Sequence, residues 1–284
     1  MRDRLDGKLP AKVKFLHRLT GASLLDAARA VAEAGGDVDR AVQILRAKRL
    51  PGAVRPEARP ASGAIVACVS EGNTSGVLLE LRCQSDFVAK GEKFRALAQG
   101  IAEHVAKTSP ADIEALLVSE IHPGETVQAL IEVACEALSE KITCSRFAQF
   151  TGGYVAAELR RTMPDHPPQI GALVQFKQGN AKVARDIAQH IIAFGPKYLS
   201  RQHVPEETVE SERLLAETNA RHEDNPETAL SDIVDGRMND FFQRYALLEQ
   251  PFIHAPEKTV QTVLDEAGVR LTRFARFRVG LEET

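Results

Sequence analysis

The sequence predicts an α+β protein: a small N-terminal three-helix module, a core of two similar strand-pair-plus-helix subdomains, and a protruding helical hairpin. Three observations carry this. Apolar residues recur at helical spacing through the first 50 residues, as in Leu24, Leu25, Ala28, Val31 and Ala32. Two alternating stretches, Gly63–Val69 and Gly76–Arg82, flank the turn-forming Glu71-Gly72-Asn73-Thr74 and hand over to helical patterns. Two polar-rich helical runs meet at Asp224-Asn225-Pro226.

The first helix is expected over Lys12–Leu19, with Phe15, Leu16 and Leu19 on one face, and is broken by Thr20–Ser23. The second spans Leu24–Ala34 and ends at Gly35-Gly36, residues suited to the left-handed conformation after a helix. Asp37 is a good N-cap for the third, which carries Val38, Ala41, Val42, Ile44 and Leu45. A three-helix unit of residues 1–50 resembles the ubiquitin-associated type of interaction module. Residues 51–60 hold three prolines without periodicity and read as a linker.

The first core subdomain is assigned to 61–151. It comprises the hairpin, helices over Lys93–Lys107, Pro110–Val118 and Val127–Glu140, and the strand Ile142–Phe150. That last strand is expected to pair with Tyr154–Leu159 around Gly152-Gly153. The second subdomain takes 152–205 and is completed by 242–284. It holds a strand at Ile170–Phe176, a helix at Ala181–Ala193, a helix at Glu257–Ala267 and an alternating strand at Val269–Val279. Between its parts, 206–241 reads as a hairpin of helices Glu206–Ala220 and Thr228–Phe241.

Composition narrows the function. At 284 residues and 44% hydrophobic content the chain can bury one large or two modest cores. Net charge is −3, but residues 1–60 hold 13 Lys/Arg against 7 Asp/Glu, whereas the rest holds 23 against 32. A basic head on an acidic body suits an acidic partner surface, or is simply a solvated helical face. Aromatics make up only 5% and Trp is absent, which disfavours stacking on single-stranded nucleic acid. The charged start, Met1–Asp6, is no signal peptide, and no stretch has the length of a membrane span, so a cytoplasmic protein is expected. Cys68, Cys83, Cys135 and Cys144 form no C-x-x-C pair, and no Cys/His cluster has metal-ligand spacing, so neither metal nor cofactor is expected. Neither a phosphate loop nor a G-x-G-x-x-G turn is present, which argues against direct GTP binding. The eight histidines are scattered, and no catalytic residues are assigned.

The most telling segment is Cys83-Gln84-Ser85-Asp86-Phe87-Val88-Ala89-Lys90, where a strand hands over to a helix. Two readings of it compete. In one, Ser85 caps the helix, Asp86 favours its N-terminal dipole and Phe87 enters the core. In the other, the acidic-aromatic pair stands out from the strand end and is pushed into a partner.

This octapeptide resembles the signature of the translation elongation factor Ts family. The same is true, in order, of Gly21-Ala22-Ser23-Leu24-Leu25-Asp26, Gly36–Val42, Phe94, Pro196-Lys197-Tyr198-Leu199, Val204-Pro205, Asp235-Gly236-Arg237-Met238, Leu248–Phe252 and Lys258-Thr259-Val260. The resemblance implies a nucleotide-exchange factor, not an enzyme, that binds the GTPase elongation factor Tu, preferentially nucleotide-free. It implies that Asp86 and Phe87, flanked by Ser85 and Val88, enter the partner beside its Mg²⁺ and phosphate site. It also implies contacts through Leu24 and Leu25, through Leu138 and Ser139 (Ser where the family has Gly), and through Ile253 and His254. Two departures stand out. Asp26-Ala27-Ala28-Arg29 replaces Asp-Cys-Lys-Lys, and Arg160 stands where a histidine is expected after Tyr154. A specialised copy serving a divergent elongation factor Tu fits them, as does an ordinary factor of an unusual lineage. The competing function is a scaffold or chaperone-like binder of elongation factor Tu that does not release nucleotide.

Overall fold

The computed structural model describes residues 24–37, 40–41, 62–223 and 226–281. The expected first helix, most of the third and the linker lie outside them. In chain order the elements are α1 (Leu24–Glu33), β1 (Ser62–Val69), β2 (Ser75–Cys83), α2 (Asp86–Lys90), α3 (Glu92–Thr108), α4 (Ile113–Val118), β3 (Glu120–His122), β4 (Glu125–Thr126) and α5 (Val127–Leu138). Then follow β5 (Thr143–Thr151), β6 (Tyr154–Arg160), β7 (Ile170–Phe176), α6 (Ala181–Phe194), α7 (Glu206–His222) and α8 (Leu230–Tyr245). The last are β8 (Pro251–Phe252), β9 (Ala255–Thr259), α9 (Val260–Glu266) and β10 (Leu271–Arg278). The fold is α+β, built on antiparallel sheets.

The chain forms two compact units. One holds α1 together with residues 206–238; the other holds residues 62–205 and 239–281. In the first, α1 ends at Gly35 and Gly36, both at positive φ (65° and 86°). The Asp37 carboxylate accepts the Arg40 backbone N–H at 3.1 Å, as a helix cap does. In the same unit Arg213 reaches Asp235 at 3.4 Å, and Arg237 pairs with Glu223 at 2.5 Å. Ala216, Ala220, Val234 and Met238 are buried. The second helix of this pair begins two residues later than its periodicity suggests, after a 3-10 turn at Glu227–Ala229.

The second unit contains two three-stranded antiparallel sheets, ordered β1-β2-β5 and β10-β7-β6. This corrects one expectation: β5 and β6 do not pair. β5 runs beside β2, with Leu79 opposite Phe147, and β6 runs beside β7, with Ala156 opposite Val174. Gly152 (φ 79°) and Gly153 (φ 154°) carry the chain from one sheet to the other rather than closing a hairpin. The strand alternation is the same for either partner, so sequence could not separate the two pairings.

Each sheet carries helices on one face and meets the other sheet on its opposite face. On the first sheet, Val77, Leu79 and Leu81 pack with Phe94, Ala98, Ile101 and Val105 of α3 and with Val127 and Ile131 of α5. On the second, Ala172 and Val174 pack with Ala184, Ile187 and Ile191 of α6 and with Leu264 of α9. Between the sheets lie Ile65, Leu78, Phe150, Val155, Leu173 and Phe277. Each side chain fully buried there, as Ile65, Leu78, Val155 and Leu173 are, contributes about 1.5–3 kcal/mol. The sheets approach closely at Gly171. A methyl group there would lie 2.7 Å from Ile65 Cγ2 and 2.9 Å from Leu78 Cδ1, inside contact distance.

One charge is buried in this packing. Glu80 on β2 is fully buried and accepts from Arg82 Nε and Arg146 Nε, each at 2.6 Å, and from the Gly280 backbone N–H at 2.9 Å. Arg146 also donates to the carbonyls of Arg278 (3.1 Å) and Leu281 (2.6 Å). The pairing of β2 with β5 slips by one residue beside Glu80, which leaves Arg146 directly opposite it. The network thus ties the first sheet to the end of β10.

Candidate functional site

The Asp86–Phe87 pair stands on a turn held from below. β2 ends in the buried Cys83. Ser85 then adopts an extended conformation (φ −127°, ψ 152°), and its hydroxyl accepts the Val88 N–H at 3.3 Å, capping α2. Asp86 Oδ1 accepts from the Ser62 hydroxyl at 2.7 Å, so β1 fixes the carboxylate as well. Val88 and Ala89 point into the core beside α3, 5% and 1% exposed. Lys90, at the far end of the turn, pairs with Asp165 at 2.5 Å.

Phe87 points the other way and is 87% exposed. The local reading therefore fails in one part only. Ser85 does cap the helix and Asp86 does occupy its first turn, but Phe87 does not enter the core. The reason is helical geometry. In a single turn with Val88 and Ala89 committed inward, the preceding residue faces outward. The same geometry turns Val88, one of the expected contact residues, into the core beside α3.

Leu138 and Ser139 close α5. Leu138 is half-buried and lines a groove of about 570 Å³ between α3 and α5, together with Leu97, Ile121, Val133 and Ala134. Ser139 is exposed and takes the left-handed conformation at φ 54°, ψ 32°. Its own N–H and that of Glu140 return to the Glu136 and Cys135 carbonyls, completing the helix stop. A glycine in this place has a steric reason, and Ser139 bears the strain that a Cβ brings.

Ile253 and His254 form the turn between β8 and β9. Ile253 is half-buried and His254 exposed. The turn is anchored by His190 of α6, which is fully buried. Its Nδ1 accepts the Ile253 N–H at 3.2 Å, and its Nε2 lies 2.9 Å from the Gln250 side-chain oxygen. The ring stacks at 4.6 Å on Phe194 and at 5.9 Å on Phe252. Burial lowers its pKa, Gln250 raises it in part, and the nearby His254 lowers it again. Leu24 and Leu25 open α1, but their side chains lie outside the described residues.

Among the described residues no group of three His, Cys, Asp or Glu could hold a metal ion. Burial pushes the Cys83 and Cys144 thiols up to about 12, helped by the carboxylates of Glu140 and Glu80 respectively, so both are poor nucleophiles. Among the described residues no helix is long and apolar enough to cross a membrane. The surface instead presents a lone aromatic on a braced turn, an apolar groove and an anchored loop.

Comparison with known proteins fits this picture. Residues 84–281 match the profile of the family described as Elongation factor TS. The chain is 55% identical over 272 residues to an elongation factor Ts of Streptomyces coelicolor, covering 95% of this chain and 98% of that protein. The chain belongs to the elongation factor Ts family. It is also 56% identical to the Streptomyces griseus elongation factor Ts over 272 residues and 46% identical to that of Thermobifida fusca over 270, each across 95% of this chain. These cover 98% and 97% of the respective relatives. This family member is therefore a translation elongation factor, matched along almost its whole length.

The exposed pair was legible in the sequence, but the distant residues that fix this turn and the β8–β9 turn were not. Glu140, which accepts the Ser85 N–H, Asp165, which pairs with Lys90, and His190, which accepts the Ile253 N–H, lie 55, 75 and 63 residues from those partners. None sits in a pattern that sets it apart from ordinary polar residues.

Proposed function

We propose that this protein is a guanine-nucleotide exchange factor that binds elongation factor Tu and promotes GDP release, with Phe87 and Asp86 as the intruding group. The supporting observation is the 87% exposure of Phe87 on a turn whose neighbours are buried and hydrogen-bonded. A protein that leaves a phenylalanine in water forgoes about 1.5–3 kcal/mol of burial, and aromatic anchors of this kind recur at the centres of interfaces.

The mechanism is differential affinity. GDP affinity in a GTPase rests on Mg²⁺ and on donors around the phosphates. A group that occupies that region is compatible with the empty partner and not with the filled one. Coupling is reciprocal, so whatever weakens GDP is weakened by GDP to the same degree. A thousandfold effect requires about 4 kcal/mol at 1.4 kcal/mol per tenfold. Phe87 supplies about 1.5–3 of this. The remainder is assigned to Asp86 and to wider contacts at Leu138, Ser139, Ile253 and His254, with Leu24 and Leu25 from the N-terminal module. The factor itself binds no GTP and performs no covalent step, and it acts in the cytoplasm.

The test is release of a fluorescent GDP analogue from elongation factor Tu in a stopped-flow instrument, with calorimetric titration of the nucleotide-free and GDP forms alongside. Faster release and tighter binding to the empty form are expected. Equal affinity for both forms would refute exchange, because a ligand without differential affinity shifts no equilibrium. Binding to the partner without faster release would instead identify a non-exchanging scaffold.

A further inference from the structure

We infer that Glu140 is a positioning residue for the exchange reaction, a carboxylate clamp that holds the Ser85–Phe87 turn in the presenting conformation. This rests on the exchange reading proposed above. Glu140 Oε2 accepts the backbone N–H groups of both Gln84 and Ser85, each at 3.0 Å. Glu140 Oε1 accepts the Ser85 hydroxyl proton. That hydroxyl in turn accepts the Val88 N–H and caps α2. One side chain therefore satisfies two consecutive backbone donors, which have no strand partner once β2 has ended, and orients the cap that starts the next helix.

The carboxylate is itself held in place. Glu140 lies directly after the left-handed Ser139, and its own N–H closes onto the Cys135 carbonyl at 3.2 Å. The stop of α5 thus aims Glu140 at the start of α2. This links two surfaces that the sequence offers as separate contact points, the Phe87 turn and the Leu138–Ser139 helix end. Hydrogen bonds to a charged acceptor are about twice as strong as neutral ones, which suits a short five-residue helix with little cohesion of its own.

If Glu140 acts by keeping the turn in its presenting state, its loss lowers the fraction of competent molecules. The concentration needed for half-maximal exchange then rises while the plateau rate holds. For Glu140→Ala we expect about a tenfold rise in that concentration, with a plateau within about twofold of wild type. Glu140→Gln keeps an oxygen for the two N–H groups, and its amide N–H donates to the Ser85 oxygen in place of accepting its proton, so it should restore most of the effect. On a Phe87→Ala background, Glu140→Ala should cost clearly less than it does alone, since only Asp86 of the intruding pair is then left to position. Amide exchange at Gln84, Ser85 and Val88 should accelerate in Glu140→Ala and not in Phe87→Ala. If Glu140→Ala does not fold, Glu140→Gln and Ser85→Ala carry the test, with near-normal exchange expected from the first and a several-fold rise in half-maximal concentration from the second.

The clamp is refuted by unchanged half-maximal concentration in Glu140→Ala, by full additivity with Phe87→Ala, or by a Gln variant as impaired as Ala. A wild-type protein that fails to accelerate GDP release overturns the exchange reading and this role with it. Amide exchange still shows, independently of the partner, whether the local clamp exists.

Discussion

Replacing Phe87 by alanine separates surface from core on a single side chain. Truncating a buried phenylalanine costs about 3–5 kcal/mol. Phe94, fully buried one helix later, should lie in that range. Phe87 is 87% exposed, so its truncation removes almost no packed area and should change stability by less than about 0.5 kcal/mol. For a chain of this size 1 kcal/mol corresponds to about 2–4 °C. The melting temperature of Phe87→Ala should therefore stay within about 2 °C of wild type, whereas Phe94→Ala should fall by roughly 6–20 °C. The functional loss should be large in the opposite order. Burial of one phenylalanine in a partner is worth about 1.5–3 kcal/mol, which is roughly 10- to 150-fold in stimulated GDP release. The assay is a thermal melt and a stopped-flow release experiment on the same sample. A fall of 8 °C or more with normal exchange by the folded fraction would show that Phe87 is structural in solution and would refute the reasoning.

Three further outcomes follow from the same structure. Glu80→Ala should cost about 3 kcal/mol in chemical denaturation, because it leaves Arg82, Arg146 and the Gly280 N–H without their shared acceptor; a loss under 1 kcal/mol would mean that solvent replaces it. Ser139→Gly should stabilise the protein by about 0.5–1 kcal/mol, since glycine adopts φ 54° without the Cβ penalty; a destabilised variant would show that the hydroxyl matters more than the strain. His190 should make stability fall with acid. Its folded pKa is lowered below the ordinary value near 6.5, so in the window beneath that value the unfolded chain binds more protons, and stability declines until pH passes the folded value. His104, lowered by burial and by Lys107, acts with the same sign. Denaturation midpoints between pH 8 and 5 should thus drop less steeply in His190→Gln than in wild type, and identical slopes would contradict this.

Much of this protein was legible in its residues. Helical spacing located α3, α5 and α6, and Asn180 and Thr126 cap the latter two as their side-chain chemistry requires. The alternation in 63–82 located the first hairpin, whose register pairs Ala64 with Leu81 and Val66 with Leu79. The order of short motifs carried the family. These features are local: each depends on residues a few positions apart, where period and cap chemistry act directly.

Tertiary structure decided the rest. The partner of β5 depended on which sheet buries Phe150 and Phe147, a choice that alternation alone leaves open. The short strands β3 and β4, and β8 and β9, pair with each other and are too short to leave a clear periodic signal. The candidate site divides the same way. Asp86 and Phe87 could be singled out from their neighbours, but whether Phe87 faces water or core depended on Val88 and Ala89 taking the inward positions. That Glu140, 55 residues later, holds the turn follows from a helix stop aiming one carboxylate at two unpaired N–H groups. Long-range contacts of single polar side chains have no period in sequence, so only the packed chain determines them.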